Sequence, residues 1–560
     1  MENRSSAGVG CAVPGRAAGL WAQRAALVTP RAHQVAMMGP VALAVALEEW
    51  RVPTVYEVMR GHAEARPDKL ALISEQDGSR TYAELVENEA RLAHAFVHEL
   101  GIPPGERSCL WLWNRPEFVE VQHAASAVGL PPVLANPEWA DAEMDFVMSH
   151  SGARFIVCEP ELADRALQLA ERIDTLDFVI TLGEGIPDRA ISLEALRDAA
   201  PASADAKLPP VPDDVPGHLM YTSGTSTGRP KAVRFERNFP ANSPLYDEMI
   251  GVTSADRSIF VTPLFHGNGA AGIMSSLIFG GSAVFQRRFS ASRFWSLVDR
   301  TRPTFFLTLA PIVNILLGLR PSPFEREHSL RVIIALGSGA AAPVMEERYG
   351  VPVIDWYGMT EAGMGTYTRL SEERRPGSAG RPFDGSGMRI LREDGSVAEP
   401  EEVGEVCFST EQIGFQGYVD DEEATRAVIH DGYFHTGDLG RFDADGFFYF
   451  VDRKKDIVRR AGENISSAEV ETVLRQHPNV AEVAVLGRPD PVLGERVVAF
   501  VVATEGESPP DAQALAAFAE GKLAPYKLPE VAFELAELPR TATGKVEKFR
   551  LRARLAAREG

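Results

Sequence analysis

The sequence predicts an α/β protein built from two unequal parts. From about residue 55 onward, short apolar runs alternate with segments of helical periodicity, as expected for parallel strands whose crossover connections are helices. Near residue 452 the pattern changes, and the shorter stretch that follows suits a small α+β unit. A chain of 560 residues is also too long for one hydrophobic core, so two to four structural units are expected.

Several βα units can be placed directly on the sequence. A strand is predicted over 108–113 (SCLWLW), followed by a helix and a strand in PPVLAN; a second strand, FIVC, is connected by a helix to DFVITLG. Further along, TFFLTLA leads into a helix, and RVIIAL is followed by a glycine-rich turn, a helix and the strand PVID. In open sheets of this kind ligands bind beyond the carboxyl ends of the strands.

The domain boundary is predicted at the charged segment DRKKD, which follows the strand-like GFFYFVD. Beyond it, Ser466 and Glu469 form an S-x-x-E capping box ahead of a helix, and the strands AEVAVLG and RVVAFVVAT follow. The predicted units are residues 1–50 as a disordered extension, 51–451 as the N-terminal domain, 452–456 as a hinge and 457–560 as the C-terminal domain.

Charge and cysteine usage narrow the functional classes. The formal net charge of -21 argues against a nucleic-acid partner, because phosphate binding requires clustered Lys and Arg. An anionic ligand would have to be held locally, by backbone N–H groups and a few cations. The cysteines, Cys11, Cys109, Cys158 and Cys407, are widely spaced, which indicates neither a zinc site nor a disulfide framework and suits a reducing cytoplasm. Cys109 and Cys158 lie in apolar runs and are expected in the core.

A loop after the apolar segment GHLM is suited to holding phosphate. In YTSGTSTGRPK, residues 221–231, hydroxyl side chains stand between two glycines and Lys231 follows, so backbone N–H groups, hydroxyls and one cation are available to an anion. Such loops are also common as plain surface turns, and this one lacks the spacing of a P-loop. The residues predicted to hold the phosphate are Thr222, Ser223, Gly224, Thr225, Ser226, Thr227, Gly228 and Lys231.

This segment resembles the phosphate loop of the adenylate-forming superfamily, which comprises acyl- and aryl-CoA synthetases, stand-alone adenylation domains and beetle luciferases. The usual run there is T-S-G-T-T-G-x-P-K-G; here the loop is one residue longer and Ala232 replaces the final glycine. The resemblance extends in motif order over nearly all of residues 55–550. It implies a large N-terminal domain of stacked mixed and parallel sheets with helices, and a small, mobile α+β C-terminal domain.

A second motif, DWYGMTE at residues 355–361, is similar to the Y-G-M-T-E motif of that superfamily. The resemblance implies that Tyr357 lies against adenine, that Thr360 contacts the phosphate or carboxylate region, and that Glu361 holds Mg²⁺; Gly358 and Met359 belong to the same motif. An oxygen ligand suits this hard cation, which bridges phosphates and neutralises their charge. Taken alone, Glu361 would be an ordinary carboxylate at a helix start.

Further motifs complete a nucleotide site by resemblance. The turn after RVIIAL is similar to the strip beside adenine, with Gly339, Ala340 and Ala341 as its small residues, although alone it would be a simple βα turn. YFHTGD is similar to the ribose motif, in which Asp438 would accept hydrogen bonds from the ribose hydroxyls and Arg453 would be its partner.

The catalytic residues are also implied by resemblance. Lys545, in the loop PRTATGK, would bridge the carboxylate and the α-phosphate, a task that suits a flexible cation. The loop over 459–465, with Gly462 and Glu463, is similar to the one that lines the pantetheine channel of CoA-using relatives. His266, in PLFHGNG, is the candidate gate of the acyl pocket, and a structural histidine capping a strand end is the alternative.

The predicted enzyme is therefore a cytoplasmic AMP-forming acid–thiol ligase that uses ATP and Mg²⁺. It would convert a small carboxylic acid into an acyl-adenylate and transfer the acyl group to coenzyme A. One alternative keeps the adenylation but changes the acceptor to a carrier-protein phosphopantetheine or an amine, or activates nitrite as diazotases do. A second alternative is a catalytically silent binding protein with the same fold. The acid and the oligomeric state stay open.

Overall fold

A computed structural model describes residues 53–201, 208–212, 215–221, 231–235, 245–339, 341–415, 417–460, 463–541 and 544–557. The predicted extension over 1–50 lies outside these ranges. The helices, numbered along the chain, are α1 Val55–Ala65, α2 Tyr82–His98, α3 Pro116–Ala127, α4 Asp141–Ser151, α5 Ala163–Ala170, α6 Leu193–Ala199, α7 Leu245–Ile250, α8 Gly267–Leu277, α9 Ala291–Thr301, α10 Ala310–Gly318, α11 Ala341–Tyr349, α12 Glu422–Val428, α13 Ser467–Leu474, α14 Ala512–Ala519 and α15 Lys548–Ala556.

The strands are numbered in the same way. Those of the first part of the chain are β1 Leu70–Ser74, β2 Ser79–Thr81, β3 Ser108–Trp111, β4 Pro132–Leu134, β5 Phe155–Cys158, β6 Phe178–Thr181, β7 Ile191–Ser192, β8 His218–Tyr221, β9 Ala232–Phe235, β10 Arg257–Phe260, β11 Ser282–Phe285, β12 Phe305–Leu309, β13 Val332–Leu336 and β14 Val353–Ile354. The remaining strands are β15 Trp356–Met359, β16 Gly363–Tyr367, β17 Arg381–Pro382, β18 Met388–Leu391, β19 Gly404–Ser409, β20 Ile429–His430, β21 Tyr433–Phe442, β22 Phe448–Arg453, β23 Val458–Arg460, β24 Glu463–Ile465, β25 Val480–Asp490, β26 Gly494–Ala503 and β27 Val531–Glu534.

Two large sheets form the N-terminal part, and both are mainly parallel as predicted. The first has the strand order β7-β6-β5-β3-β4-β8-β9 and the second the order β14-β13-β12-β10-β11-β1-β2. Each ends on one antiparallel strand, β9 or β2. The strands predicted in SCLWLW, PPVLAN, FIVC and DFVITLG are neighbours in the first sheet, and those in TFFLTLA, RVIIAL and PVID are neighbours in the second. The predicted α/β fold is therefore confirmed.

The main hydrophobic core lies between the two sheets. It joins residues from both, such as Leu110 and Phe155 of the first and Phe260 and Phe305 of the second, through the apolar faces of α2 and α3. Strands such as β13, with the sequence VIIAL, are apolar at every position because a parallel sheet is covered by helices on both faces. Cys109 and Cys158 are fully buried in this part, as expected from their apolar runs.

The chain leaves the second sheet at Asp355 and enters smaller antiparallel sheets. Strand β14 ends at Ile354, and β15 begins at Trp356 in a separate sheet with the order β15-β16-β17. A further sheet has the order β18-β19-β21-β20, with β22 paired to β21. This step places residue 355 at the junction between a parallel sheet and a β-hairpin.

The last sheet contains only strands that begin at or after Val458 among the described residues. Its order is β24-β23-β26-β25, with β27 paired to β26, and β25 and β26 are the strands predicted in AEVAVLG and RVVAFVVAT. One of the two hydrogen bonds of the capping box predicted for α13 is confirmed. The Ser466 hydroxyl accepts a hydrogen bond from the Glu469 backbone N–H at 3.2 Å. The Glu469 carboxylate is instead paired with Lys527 at 2.7 Å, which replaces the reciprocal half of the predicted box.

Asp452 connects the end of β22 to the N-terminus of α13. Its buried Oδ2 accepts hydrogen bonds from the Ser466 hydroxyl at 3.2 Å, the Ser467 hydroxyl at 2.9 Å and the Ala468 N–H at 3.2 Å, at the N-terminus of α13. A carboxylate at this position is also favoured by the helix dipole. The predicted segment 452–456 therefore begins with a residue whose side chain is bound to the C-terminal part. The limits of the predicted domains themselves stay a prediction.

Within the described ranges, no helix combines the length and the apolar character that crossing a membrane would require.

Replacing Asp452 is expected to loosen this attachment. We expect Asp452→Ala to destabilise the C-terminal part by about 1–3 kcal/mol, because three buried or half-buried donors lose their acceptor. Urea denaturation followed by fluorescence would measure the shift of the transition midpoint. Glu505→Ala, at an exposed position after β26, is the control and should leave the midpoint in place. Equal midpoints for the two variants would contradict the attachment.

Candidate active site

The candidate site begins at the carboxyl ends of β12, β13 and β14, where the turn after β13 is held by a buried carboxylate. Asp355 accepts hydrogen bonds from the Gly337 N–H at 2.8 Å, the Ser338 hydroxyl at 2.7 Å and the Gly339 N–H at 3.3 Å. Both glycines have positive φ, +71° and +47°, a backbone conformation that other residues rarely adopt. Burial raises the pKa of Asp355 to about 6, and the hydrogen bonds oppose that rise.

The predicted ribose residues are brought together across two antiparallel strands. Asp438 on β21 lies directly opposite Arg453 on β22, and Arg453 Nε is 3.1 Å from Asp438 Oδ1. The Tyr357 hydroxyl donates to Asp438 Oδ2 at 2.9 Å, and the Asp438 N–H donates to the Thr436 hydroxyl at 3.0 Å. The carboxylate is nearly buried whereas the guanidinium is partly exposed, so the pair presents a fixed acceptor beside a reachable donor.

Tyr357 has a contact that its predicted role did not include. Its ring is buried, 4.8 Å from the Phe448 ring and 6.3 Å from the Phe450 ring between centroids, and its hydroxyl points at Asp438. Burial, followed by the charge of Asp438, holds the pKa of Tyr357 well above its usual range. The hydroxyl is therefore a permanent donor that orients the carboxylate.

Glu361 lies in the turn of the hairpin formed by β15 and β16. It does not stand at the start of a helix, so that description is wrong. The two strands of the hairpin lie very close together at Gly358, where a Cβ would overlap the Gly363 carbonyl oxygen. The Tyr418 hydroxyl donates to Glu361 Oε1 at 2.8 Å, and the Lys231 ammonium lies 4.7 Å from the centre of the Tyr418 ring. Tyr418 thus connects the acidic residue and the lysine of two separate motifs.

Met359 and Thr360 occupy the same hairpin, at the end of β15 and in its turn. Ala341 begins α11, and its N–H donates to the Ser338 carbonyl at 2.8 Å, so it directly extends the turn held by Asp355. The residues predicted at 222–228, together with Ala340 and Gly462, lie outside the described residues.

Lys545 is brought into the cleft of the N-terminal part. Its loop is closed by the Thr541 N–H, which donates to the Lys545 carbonyl at 2.8 Å, and a Cβ built on Gly544 would lie 3.2 Å from Pro311 at the start of α10. The residue as a whole is exposed to solvent, whereas desolvation of its ammonium by the surrounding atoms lowers its pKa.

The charges that act on Lys545 identify its surroundings. The charge of Arg453 lowers the lysine pKa further, while Asp438 and Glu361 oppose the fall. The ammonium therefore lies within electrostatic reach of the ribose pair at one end and of the acidic hairpin residue at the other. The structure thus brings together four residues that are far apart in the sequence.

His266 stands at the N-cap position of α8, where its side chain makes no capping hydrogen bond. Its ring lies 4.9 Å from the Phe265 ring. Burial, followed by the charge of Lys545, lowers the pKa of His266 to about 4, so the imidazole is neutral at physiological pH. The residue therefore lies within electrostatic reach of Lys545, and its side chain does not cap α8.

The glycines of α8 serve packing more than they open space. A Cβ on Gly269 would overlap the Pro263 carbonyl oxygen, and one on Gly272 would enter the Phe260 ring. At Gly267 the nearest other atom is the Met220 sulfur at 3.9 Å. Gly269 and Gly272 therefore leave no room for an acyl group.

Glu463 is on β24, opposite Arg460 of β23, and is exposed. The structure places it on a hairpin of the last sheet, whereas the cluster around Asp438 belongs to the N-terminal part.

Sequence reasoning assigned no role to Asp355 or Tyr418. Asp355 could have been found, because a carboxylate directly after a predicted strand and 18 residues from a glycine-rich turn is a natural acceptor for that turn. Tyr418 lies 57 residues from Glu361 in no recognisable motif, and only the fold brings them together.

Comparisons with known proteins identify the family of this chain. Residues 59–419 match the family described as AMP-binding enzyme, and residues 469–545 match the AMP-binding enzyme C-terminal domain. The 2-succinylbenzoate–CoA ligase of Bacillus licheniformis is 33% identical over 88% of this chain and 98% of its own length. The oxalate–CoA ligase of Arabidopsis thaliana is likewise 33% identical, over 88% and 97%.

A solved structure supports the same conclusion for the fold. The anthranilate CoA ligase AuaEII in complex with anthranoyl-AMP superposes with a TM-score of 0.82 at 25% identity, and the match covers 90% of this chain and 98% of that one. The predicted fold class and the resemblance to adenylate-forming enzymes are both confirmed. The chain belongs to the AMP-binding enzyme family, as an AMP-forming acid–thiol ligase of its acyl-CoA synthetase branch.

Proposed function

We propose that this enzyme activates a small carboxylic acid with ATP, forming an acyl-adenylate and pyrophosphate, and then transfers the acyl group to the thiol of coenzyme A. The observation that carries the proposal is the packing of the Lys545 loop against the N-terminal part, where a Cβ on Gly544 would lie 3.2 Å from Pro311, together with the electrostatic interaction of the lysine with Asp438 and Glu361. An α-phosphate would bind near this ammonium, with the ribose at Asp438 and the outer phosphates toward Glu361. The CoA ligases among its relatives support the second half-reaction.

The nucleotide would be held by groups that are already oriented. Asp438 would accept hydrogen bonds from the ribose hydroxyls and Arg453 would donate to them, with Tyr357 fixing the carboxylate. Adenine would lie along the turn that contains Gly339 and continues to Ala341. Because Asp355 holds this turn by its backbone N–H groups, the strip is shaped before the nucleotide arrives.

The triphosphate would extend toward Lys231 and Glu361, with the loop over 222–228 around it. Glu361 fits a Mg²⁺ ligand, since its carboxylate supplies hard oxygen donors in a turn. When bound, this ion would neutralise phosphate charge. Tyr418 would keep the Glu361 carboxylate in place by donating to Oε1.

In the first half-reaction a carboxylate oxygen attacks the α-phosphorus in line. An oxygen–phosphorus bond forms, the bond to the bridging oxygen of the β-phosphate breaks, and pyrophosphate leaves. Lys545 stabilises the charge shared between the attacking carboxylate and the α-phosphate oxygens, so its contribution is electrostatic and positional. His266, neutral in the cleft, adds no competing positive charge.

In the second half-reaction the thiol of coenzyme A attacks the acyl carbon, the thiol proton is lost, and AMP leaves. This step requires Lys545 to withdraw and the segment 459–465 to approach, which a rotation of the C-terminal domain at 452–456 would accomplish. The contacts support a pivot there, because Asp452 is bound to α13 whereas its neighbour Arg453 is paired with Asp438. His266 would gate the acyl pocket between the two states.

The acid is proposed to be short, medium or aromatic. The first residues of α8 have small side chains, although the space beside Gly269 and Gly272 is already occupied by neighbouring atoms. The curated relatives act on acids of this size range, by name 2-succinylbenzoate and oxalate.

A substrate panel tests the reaction. Purified protein with ATP and Mg²⁺ is expected to release pyrophosphate with at least one short, medium or aromatic carboxylic acid, and to give the corresponding thioester, detected by mass, when coenzyme A is added. Parallel reactions contain no acid, nitrite, an amine, or a carrier-protein phosphopantetheine in place of CoA. If pyrophosphate is released but no CoA thioester forms, coenzyme A is not the acceptor. If no carboxylate causes pyrophosphate release, the proposed activation is wrong.

The role of Lys545 predicts a selective loss. Lys545→Ala should reduce adenylate formation about 100- to 1,000-fold, because a charge-stabilising group is removed, while ATP binding changes little. Pyrophosphate exchange and nucleotide binding measured by calorimetry would separate the two quantities. The matched control is Lys522→Ala, a lysine that packs on the Phe518 ring and should retain full exchange. Unchanged exchange in Lys545→Ala would exclude the proposed role.

The lowered pKa of Lys545 also predicts a pH effect. The active form is the ammonium, so the adenylation rate should be fully present at neutral pH and fall as pH rises through a folded pKa below the ordinary lysine value of about 10.4. Lys545→Arg should have a lower plateau but lack this alkaline fall, because a guanidinium stays protonated. Single-turnover rates between neutral and alkaline pH measure both profiles. The same alkaline fall in the two proteins would assign it to another group.

A further inference from the structure

Outside the nucleotide site, three different metal-ligating side chains meet on one face of a sheet. Glu405 and Cys407 are two residues apart on β19, and Cys407 lies directly opposite His435 on β21. The Glu405 carboxylate, the Cys407 sulfur and a His435 ring nitrogen all lie within 4.8 Å of one another. The proposed reaction uses none of these side chains.

Two of the three separations match those of ligands around one tetrahedral ion. Cys407 Sγ is 3.4 Å from His435 Nδ1, and Nδ1 is 3.3 Å from Glu405 Oε2. Metal–ligand distances of about 2.3 Å for sulfur and about 2.0–2.1 Å for nitrogen and oxygen place tetrahedral ligand atoms about 3.3–3.6 Å apart. The third separation, between the Cys407 sulfur and a Glu405 carboxylate oxygen, is at most 4.8 Å.

Without an ion, the contacts of His435 Nδ1 cannot all be satisfied. This nitrogen either carries a proton and donates to Glu405, or lacks one and accepts from the Cys407 thiol, but it cannot do both. Among the described residues, the other ring nitrogen, Nε2, is buried without a hydrogen-bond partner. A cation that binds sulfur, Nδ1 and the carboxylate together would resolve this conflict.

The surroundings are compatible with a bound dication. The side chains of His435 and Glu405 are 17% and 15% exposed, so an ion could enter while remaining shielded. Glu405 Oε1 accepts a hydrogen bond from the Gly437 N–H at 3.1 Å, which orients the carboxylate. The Lys454 ammonium lies 3.1 Å from Oε2 and shows that this oxygen already attracts a cation.

We propose that Glu405, Cys407 and His435 form a binding site for a thiolate-preferring divalent cation, with Zn²⁺ as the best fit. Cys407 Sγ, His435 Nδ1 and Glu405 Oε2 supply three ligands, and a water molecule supplies the fourth. On binding, the thiol releases its proton to solvent and the Lys454 ammonium leaves Oε2 for water. The mixed sulfur, nitrogen and oxygen donors favour Zn²⁺ over Mg²⁺, which takes oxygen ligands.

The position of the site gives binding a structural consequence. Glu405 contacts Gly437, which immediately precedes the ribose residue Asp438, and Lys454, which belongs to the segment 452–456. An ion at this point would cross-link β19 and β21 and free the Lys454 side chain.

Cobalt substitution tests the site on the full-length protein. Co²⁺ is expected to bind with one saturating equivalent and to produce a thiolate-to-cobalt charge-transfer absorption; Zn²⁺ should abolish this absorption and Mg²⁺ should not. Cys407→Ser should remove it. Cys158→Ser, a buried cysteine on β5, is the thiol-matched control and should retain it.

A second variant keeps the test informative if Cys407→Ser does not fold. Glu405→Gln preserves an acceptor for Gly437 and should weaken Co²⁺ binding about 10- to 100-fold, with circular dichroism unchanged. The proposal is overturned if the wild-type protein gives no saturable thiolate absorption, if the absorption survives in Cys407→Ser, or if folded Glu405→Gln binds Co²⁺ as tightly as the wild type. Binding without a thiolate absorption would assign the ion to other groups, such as the neighbouring His94 and His98 rings on α2, and would also overturn the proposal.

Discussion

The arrangement of this enzyme depends on the placement of one ammonium group from the C-terminal part among charged groups of the N-terminal part. Lys545 is acted on by Arg453, Asp438 and Glu361 at once, and it in turn lowers the pKa of His266. A partly desolvated cation is costly unless anionic groups are near, so the cleft favours this docked position most when negative phosphates occupy it. In the proposed reaction, a bound nucleotide and the C-terminal part would therefore stabilise each other's position.

The same contacts explain how docking can be reversible. Neighbouring residues at the end of β22 are bound to opposite sides: Asp452 to the start of α13, and Arg453 to Asp438. In the proposed two-step reaction, a rotation about this point would keep the first contact and break the second, and it would also release the close approach of Gly544 to Pro311.

Much of the fold could be predicted because the signals are local. Apolar runs such as VIIAL and FIVC identify buried parallel strands, and Ser466 identifies the start of a helix. Asp438, Arg453, Glu361 and Lys545 were found only by resemblance, although the structure does bring them together. Local patterns failed at Glu361, which lies in a hairpin turn because the chain leaves the second sheet at Asp355.

Residues joined by strand pairing could not be predicted. Cys407 and His435 are 28 residues apart and face each other only because β19 pairs with β21, so cysteine spacing alone indicated no metal site. In the same way, no pattern connects Tyr418 with Glu361. Register between strands depends on the whole sheet, and a single sequence does not determine it.

The close packing of α8 limits how this enzyme could acquire a different acid. Because Gly269 and Gly272 are pressed against Pro263 and Phe260, a larger side chain at either position would push α8 away from these residues. If α8 borders the acyl pocket as proposed, changes of acid specificity would have to arise at side chains outside this contact.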